Sequence, residues 1–98
     1  MNLSIHPLVA REIEDAVDWY DEQSAGLGDD FLLKLEGAKK QIQQHPERHA
    51  YWLGSQTVRR ARLKRFPYVL LFRASDLGIR ILCLRHDKRH PSYGFDRY

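Results

Sequence analysis

Five cations fall within seven residues, Arg59, Arg60, Arg62, Lys64 and Arg65, and a second basic group follows at Arg85, His86, Lys88, Arg89 and His90. Guanidinium forks bind phosphate or carboxylate in bidentate fashion and keep their charge at any physiological pH. Tyr93, Phe95 and Tyr98 are interleaved with the second group, so the set suits RNA, with phosphates on the cations and a base on a ring. The same basic density suits an acidic protein segment equally well. His86 is the candidate acid or base, because a free imidazole titrates at about 6.5, near working pH. Arg62 or Arg89 would then stabilise a developing phosphorane charge without a metal, although no second acid or base stands out beside His86.

Other chemistries are poorly served. His45 and His49 are four apart, as are His86 and His90, but both pairs sit beside proline with no Cys or Glu completing a ligand set. There is no Gly-rich phosphate loop and no nucleophile motif. Cys83 lies in an apolar run and reads as a small buried hydrophobe. Neither a metal nor a cofactor is expected.

The elements that must position these groups follow from composition and period. The chain has 98 residues, 43% hydrophobic and 30% charged, values of an ordinary folded chain and not of a disordered one. One domain over residues 1–98 is expected. No apolar run approaches the length of a membrane span, the N-terminus lacks the pattern of a signal peptide, and a lone cysteine forms no intrachain disulfide. A cytoplasmic location is the expectation. Residues 1–50 hold five Lys/Arg against ten Asp/Glu, whereas residues 51–98 hold eleven against three. Such asymmetry suggests that the second half meets an anionic partner.

Leu3 and Ile5 alternate with Ser4, so residues 1–5 read as a short strand running into Pro7. From Leu8 to Glu22, Val9, Ile13, Ala16, Val17 and Tyr20 recur at helical spacing, and Trp19 and Tyr20 are expected to pack this helix on a sheet. Ser24 to Gly28 breaks the pattern, and Asp29 or Asp30 is placed to cap a second helix with the stripe Phe31, Leu35, Ala38, Ile42. Pro46 ends it. From Thr57 to Arg65 the period becomes two, with Ala61 and Leu63 on one side and Arg60, Arg62 and Lys64 on the other. Tyr68 to Arg73 is a continuous apolar run, consistent with a central strand, and Asp76-Leu77-Gly78 turns the chain into a last strand, Ile79 to Leu84. The expectation is an α+β fold: an N-terminal strand, an antiparallel helical hairpin, and a three-strand meander in an antiparallel sheet. Its helix-free face would carry Arg60, Arg62 and Lys64 as a concave cationic surface.

Trp19-Tyr20, Gly26-Leu27-Gly28 before Phe31, Arg59 followed by Phe66-Pro67-Tyr68, and His86 followed by Arg89-His90-Pro91 together resemble the RelE/ParE superfamily of bacterial toxins. The resemblance covers nearly the whole chain and is closest to the ParE-like, plasmid stabilisation branch. It implies a curved antiparallel sheet under a helical hairpin. It also implies a toxin of a type II toxin–antitoxin pair, silenced by an antitoxin and touching DNA only through it. ParE-like members inhibit DNA gyrase; RelE-like members cleave mRNA on the ribosome without metal. By position, Arg60, Arg62 and Arg89 resemble basic residues of the RelE site, whereas its strand arginine falls on Val69 and its C-terminal Tyr falls nearest Phe95, with Tyr93 two residues away. A gyrase inhibitor is therefore the leading expectation. An mRNA endonuclease using Arg60, Arg62, His86, Arg89 and Tyr93 is the alternative, and a non-toxic antitoxin-binding module is a third. In each case Arg59, Arg60, Arg62, Lys64, Arg65, Arg85 and Arg89 form the expected binding face.

Overall fold

A computed structural model describes residues 2–98, so Met1, where the expected first strand opens, lies outside the described residues. β1 (Leu3–Ile5) leads directly into α1 (Pro7–Gln23). His6 caps this helix, its Nδ1 accepting the Leu8 N–H at 3.1 Å, and Pro7 takes the first-turn position where a missing N–H costs nothing. α2 (Leu27–Gln44) begins two residues before the expected cap. The reason lies in α1: Asp21 reaches across the turn and accepts the Gly28 N–H at 2.8 Å. The cap is thus supplied by the preceding helix, and Gly26 makes the turn at φ 86°, a region open chiefly to glycine. Asp29 and Asp30 stand in the first turn, where they complement the helix dipole. Phe31, Leu35, Ala38 and Ile42 are all buried, as their spacing predicts, and a short 3₁₀ turn at Pro46–Arg48 follows the helix.

β2 (Arg59–Arg62), β3 (Tyr68–Ser75) and β4 (Gly78–His86) form the meander, and the sheet order is β1-β4-β3-β2. β2 is shorter than the period suggests. Ser55 Oγ takes the N–H groups of Thr57 and Val58 before the strand, and Arg65 turns to φ 74° after it. The meander is antiparallel as expected, but β1 joins β4 in parallel, so the sheet is mixed. The partner of a three-residue strand is set by the path of the helical hairpin over the sheet, which local periodicity does not encode.

Both faces of the sheet are covered. The helices bury Phe31, Phe66, Leu70, Phe72, Ile81 and Leu84 on one side. On the other, Trp52 and Val58 from the β2 approach and Tyr93 and Phe95 from the tail cover Val69, Leu71, Leu82 and Cys83. The helix-free face is therefore a second small core and not the open cationic surface that parity suggested. A strand's alternation reports which face a residue takes but not what a later segment lays over that face. Cys83 and Gly94 meet here: a Cβ on Gly94 would sit inside van der Waals contact of the Cys83 sulfur, and φ is 75°.

Gly94→Ala combines backbone strain with overpacking and is expected to cost about 2–4 kcal/mol. A fall of about 10 °C or more in the thermal midpoint would show it. Gly37→Ala, at a helical site with open space around it, is expected to raise stability by about 0.5–1 kcal/mol in the same melt.

Candidate functional site

β4 outruns its partner. β1 ends at Ile5, the His6 N–H makes the last bond to the Ile81 carbonyl, and β4 continues to His86. Register adds a second irregularity: Leu71 opposes Cys83 while Phe72 opposes Ile81, so Leu82 is an extra residue in β4. The exposed edge is closed by two side chains. Glu12 of α1 accepts the Leu84 N–H at 3.1 Å, and Arg97 of the tail donates to the Leu82 carbonyl at 3.1 Å. Arg97 and Glu12 pair at 3.0 Å with both side chains largely buried, and the Tyr93 hydroxyl donates to the same carboxylate. One carboxylate thus joins the first helix, the last strand and the C-terminal segment. Spacing along the chain gives Glu12 no role. The available signal was its place one residue before Ile13, on the flank of the apolar stripe.

Beside this knot, α1 and the end of β4 enclose a cleft of about 290 Å³ that contains His86, Arg89, Tyr93, Tyr68 and Trp19. The His86 ring stands edge-on to Tyr68 at 5.1 Å, and its Nδ1 accepts the Lys88 N–H at 3.0 Å. The Arg89 guanidinium lies over the Tyr93 ring at 4.5 Å. Burial, then the hydrogen bond to Glu12, raises the Tyr93 phenol above its usual range, so it stays protonated. Trp19 lines this cleft and is 55% exposed, whereas Tyr20 packs among Phe31, Phe66 and Tyr68. Of the two aromatics expected to seat the helix, only Tyr20 does so, because adjacent helical residues point about 100° apart.

The remaining sequence-selected cations are dispersed. Arg60 and Arg62 stand on edge strand β2 in register with Leu71 and Val69, neither lines the His86 cleft, and Arg62 closes on Asp87, the residue after His86, at 2.6 Å. Arg65 pairs with Asp30 at 3.3 Å. Lys64 lines a groove between α2 and β2 with Arg62, Leu33, Lys34, Gly37, Ala38 and Gln41. Arg59 lies over the Tyr51 ring at 4.0 Å and donates to the His49 carbonyl and the Tyr51 hydroxyl, each at 2.7 Å. Arg85 is not on a surface at all. It is 2% exposed, stacks on Trp52, and donates to the Arg89 and His90 carbonyls at 2.6 and 2.8 Å. The side chain opposite it, Val69, faces the second core, so Arg85 is drawn under the tail and clamps the turn at 87–90. The structure brings His86, Arg89 and Tyr93 together in one cleft whose lining does not include Arg60 or Arg62.

Burial, reinforced by the neighbouring Glu12 carboxylate, pushes the Cys83 thiol from 9.0 up to about 12. The folded chain keeps a proton that the unfolded chain releases above about pH 9, so stability falls as pH rises from there toward 12. Tyr20, Tyr68 and Tyr93, all raised first by burial, add to the alkaline loss. Urea unfolding across pH 8–11 is expected to show this decline, with Cys83→Ala flattening its first part. Glu12→Ala strands Arg97 and leaves the Leu84 N–H unpaired, at an expected cost of about 3–5 kcal/mol. The milder Glu12→Gln is expected to make Cys83 react with a thiol reagent at pH 8 that leaves the parent protein unmodified.

Comparison with known proteins agrees with this architecture. No curated protein matches the chain. Among solved structures, the chromosomal ParDE TA system from P. aeruginosa superposes with a TM-score of 0.77 at 20% identity, covering 88% of this chain and 95% of that one. At that identity the likeness concerns the fold. The family model described as the ParE toxin of the type II toxin–antitoxin system, parDE, matches residues 3–91, from β1 through the Arg85-clamped turn. A match over that span includes the helical hairpin, all four strands and His86 and Arg89 of the cleft, and on it the chain belongs to the ParE toxin family of type II toxin–antitoxin systems.

Proposed function

We propose that this ParE-family chain arrests growth by binding an essential cytoplasmic protein, DNA gyrase, and that a cognate antitoxin silences it. The observation that carries the gyrase reading is the state of the groups that RNA cleavage would need. Val69, where a strand cation would stand, is 1% exposed inside the second core. Phe95 has no hydroxyl, and the Tyr93 phenol is committed to Glu12. With those groups absent or committed, the chain acts by occupying its target and not by transforming it. Purified protein at micromolar concentration is expected to abolish supercoiling of relaxed plasmid by gyrase. Unchanged supercoiling would overturn the reading.

For the antitoxin, the groove between α2 and β2 supplies what an amphipathic acidic segment needs. Leu33 is 70% exposed beside Lys34 and Lys64. Ala50 and Tyr51 pair with the start of β2, at Arg60 and Arg59, but not with its far end. An apolar anchor flanked by cations gives affinity at the centre and steering at the rim. Leu33→Asp is expected to weaken antitoxin binding about tenfold or more with no change in thermal midpoint, as read by calorimetry.

One observation favours a second reading. His86 and Arg89 share a cleft, the pairing an mRNA endonuclease would use. New in-frame mRNA cleavages soon after induction, seen by primer extension and lost when translation initiation is blocked, would establish it. Normal growth with intact mRNA and soluble protein would instead indicate a module that only pairs with its antitoxin.

A further inference from the structure

A second cavity is larger than the His86 cleft. It lies at the opposite end of the sheet, where β3 turns into β4, and has a volume of about 670 Å³. Three arginines from three strands line it: Arg59 at the start of β2, Arg73 near the end of β3 and Arg80 near the start of β4. No Asp or Glu is among its lining residues; Asp76, in the hairpin turn, is outside the set. Arg11, Arg62, Arg65 and Arg97 each pair with a carboxylate. Arg59 instead donates to carbonyls and a phenol, Arg73 to the Arg97 carbonyl, and Arg80 to the Tyr98 main-chain oxygen at 3.4 Å.

Two of these cations are stacked on rings that also line the cavity. Arg59 lies 4.0 Å from the Tyr51 centroid and Arg73 lies 4.5 Å from the Tyr98 centroid. Each stack orients a planar fork in advance and leaves ring surface facing outward, since Tyr51 is 45% and Tyr98 84% exposed. Fixed forks recognise phosphate oxygens, and an open aromatic face recognises a base. An acidic peptide would use the cations but would gain nothing from the rings. The volume is of the size that accommodates a small organic ligand.

We propose that this cleft, formed by Arg59, Arg73 and Arg80 with the Tyr51 and Tyr98 rings, is a nucleotide-binding site, with phosphate on the guanidinium groups and a base on a tyrosine. The proposal is independent of the gyrase reading and uses none of the His86 cleft. The nucleotide has two possible sources, a free mononucleotide or a single strand, and the assay separates them. Fluorescence anisotropy with labelled octamers of rU and dT in about 50 mM salt reports binding. Displacement by UMP alone identifies the free nucleotide; displacement only by unlabelled octamer identifies the strand.

Arg59→Gln and Arg80→Gln are each expected to weaken octamer binding about fivefold or more, and Arg11→Gln, the same change of charge elsewhere, less than twofold. Arg80 has only the 3.4 Å contact to lose, so it keeps the test decisive if Arg59→Gln fails to fold. Tyr98→Ala is expected to weaken the octamer but not inorganic phosphate used as a competitor. Three results would each overturn the proposal. They are no binding at millimolar octamer or UMP, equal loss in Arg11→Gln, and a glutamate-rich peptide that binds as tightly as the octamer and ignores Tyr98→Ala.

Discussion

The Glu12 carboxylate is the interaction on which the last third of the chain depends. A strand that outruns its neighbour leaves unpaired N–H and C=O groups, and leaving such groups buried without partners costs about 1–3 kcal/mol each. β1 is only three residues long, so β4 has this difficulty at Leu82 and Leu84. Glu12 and Arg97 act as the missing partner strand, one accepting and the other donating. Their own charges offset each other at 3.0 Å. Because Arg97 and Tyr93 belong to the tail, solving the edge of the sheet also fixes the tail across its second face.

That placement decides the chemistry of the surface. With Tyr93 and Phe95 over Val69, Leu71 and Cys83, the face that alternation leaves open becomes a packed interior. Cations that crowd the sequence therefore do not share a working face. Arg62 finds Asp87 and Arg85 is buried on Trp52, while Arg59 belongs with Arg73 and Arg80 at the other end of the sheet. A buried arginine with no carboxylate beside it is retained here by two carbonyls and an aromatic face, which makes it a clamp on the turn that positions Arg89.

The two clefts differ in what their charges face. At the His86 end, Glu12 and Asp15 of α1 line the cleft beside its cations, and the Tyr93 phenol is committed to Glu12. At the hairpin end, no Asp or Glu side chain lines the cavity, and Arg59 and Arg73 are held by carbonyls, a phenol and rings. Electrostatic attraction for an anion is greatest where the fixed positive charge is least compensated, so the density of Lys and Arg along the chain is a poor guide to where an anion binds.

Local rules were sufficient for the helices and for the meander. The stripe Phe31, Leu35, Ala38, Ile42 is buried as written, the run Tyr68 to Phe72 is a central strand, and Asp76-Leu77-Gly78 turns the chain, because each depends on residues within a few positions of one another. The cap of α2, the parallel pairing of β1 and the burial of Glu12, Arg85 and Arg97 depend on groups brought together from distant positions. Asp21 reaches Gly28 across a turn, and Glu12 meets Arg97 from the opposite end of the chain. No periodicity records such meetings. The sequence by itself determined which residues could be inside an element, and the tertiary structure decided which charges would be compensated, since compensation is a property of distance in space and not of spacing along the chain.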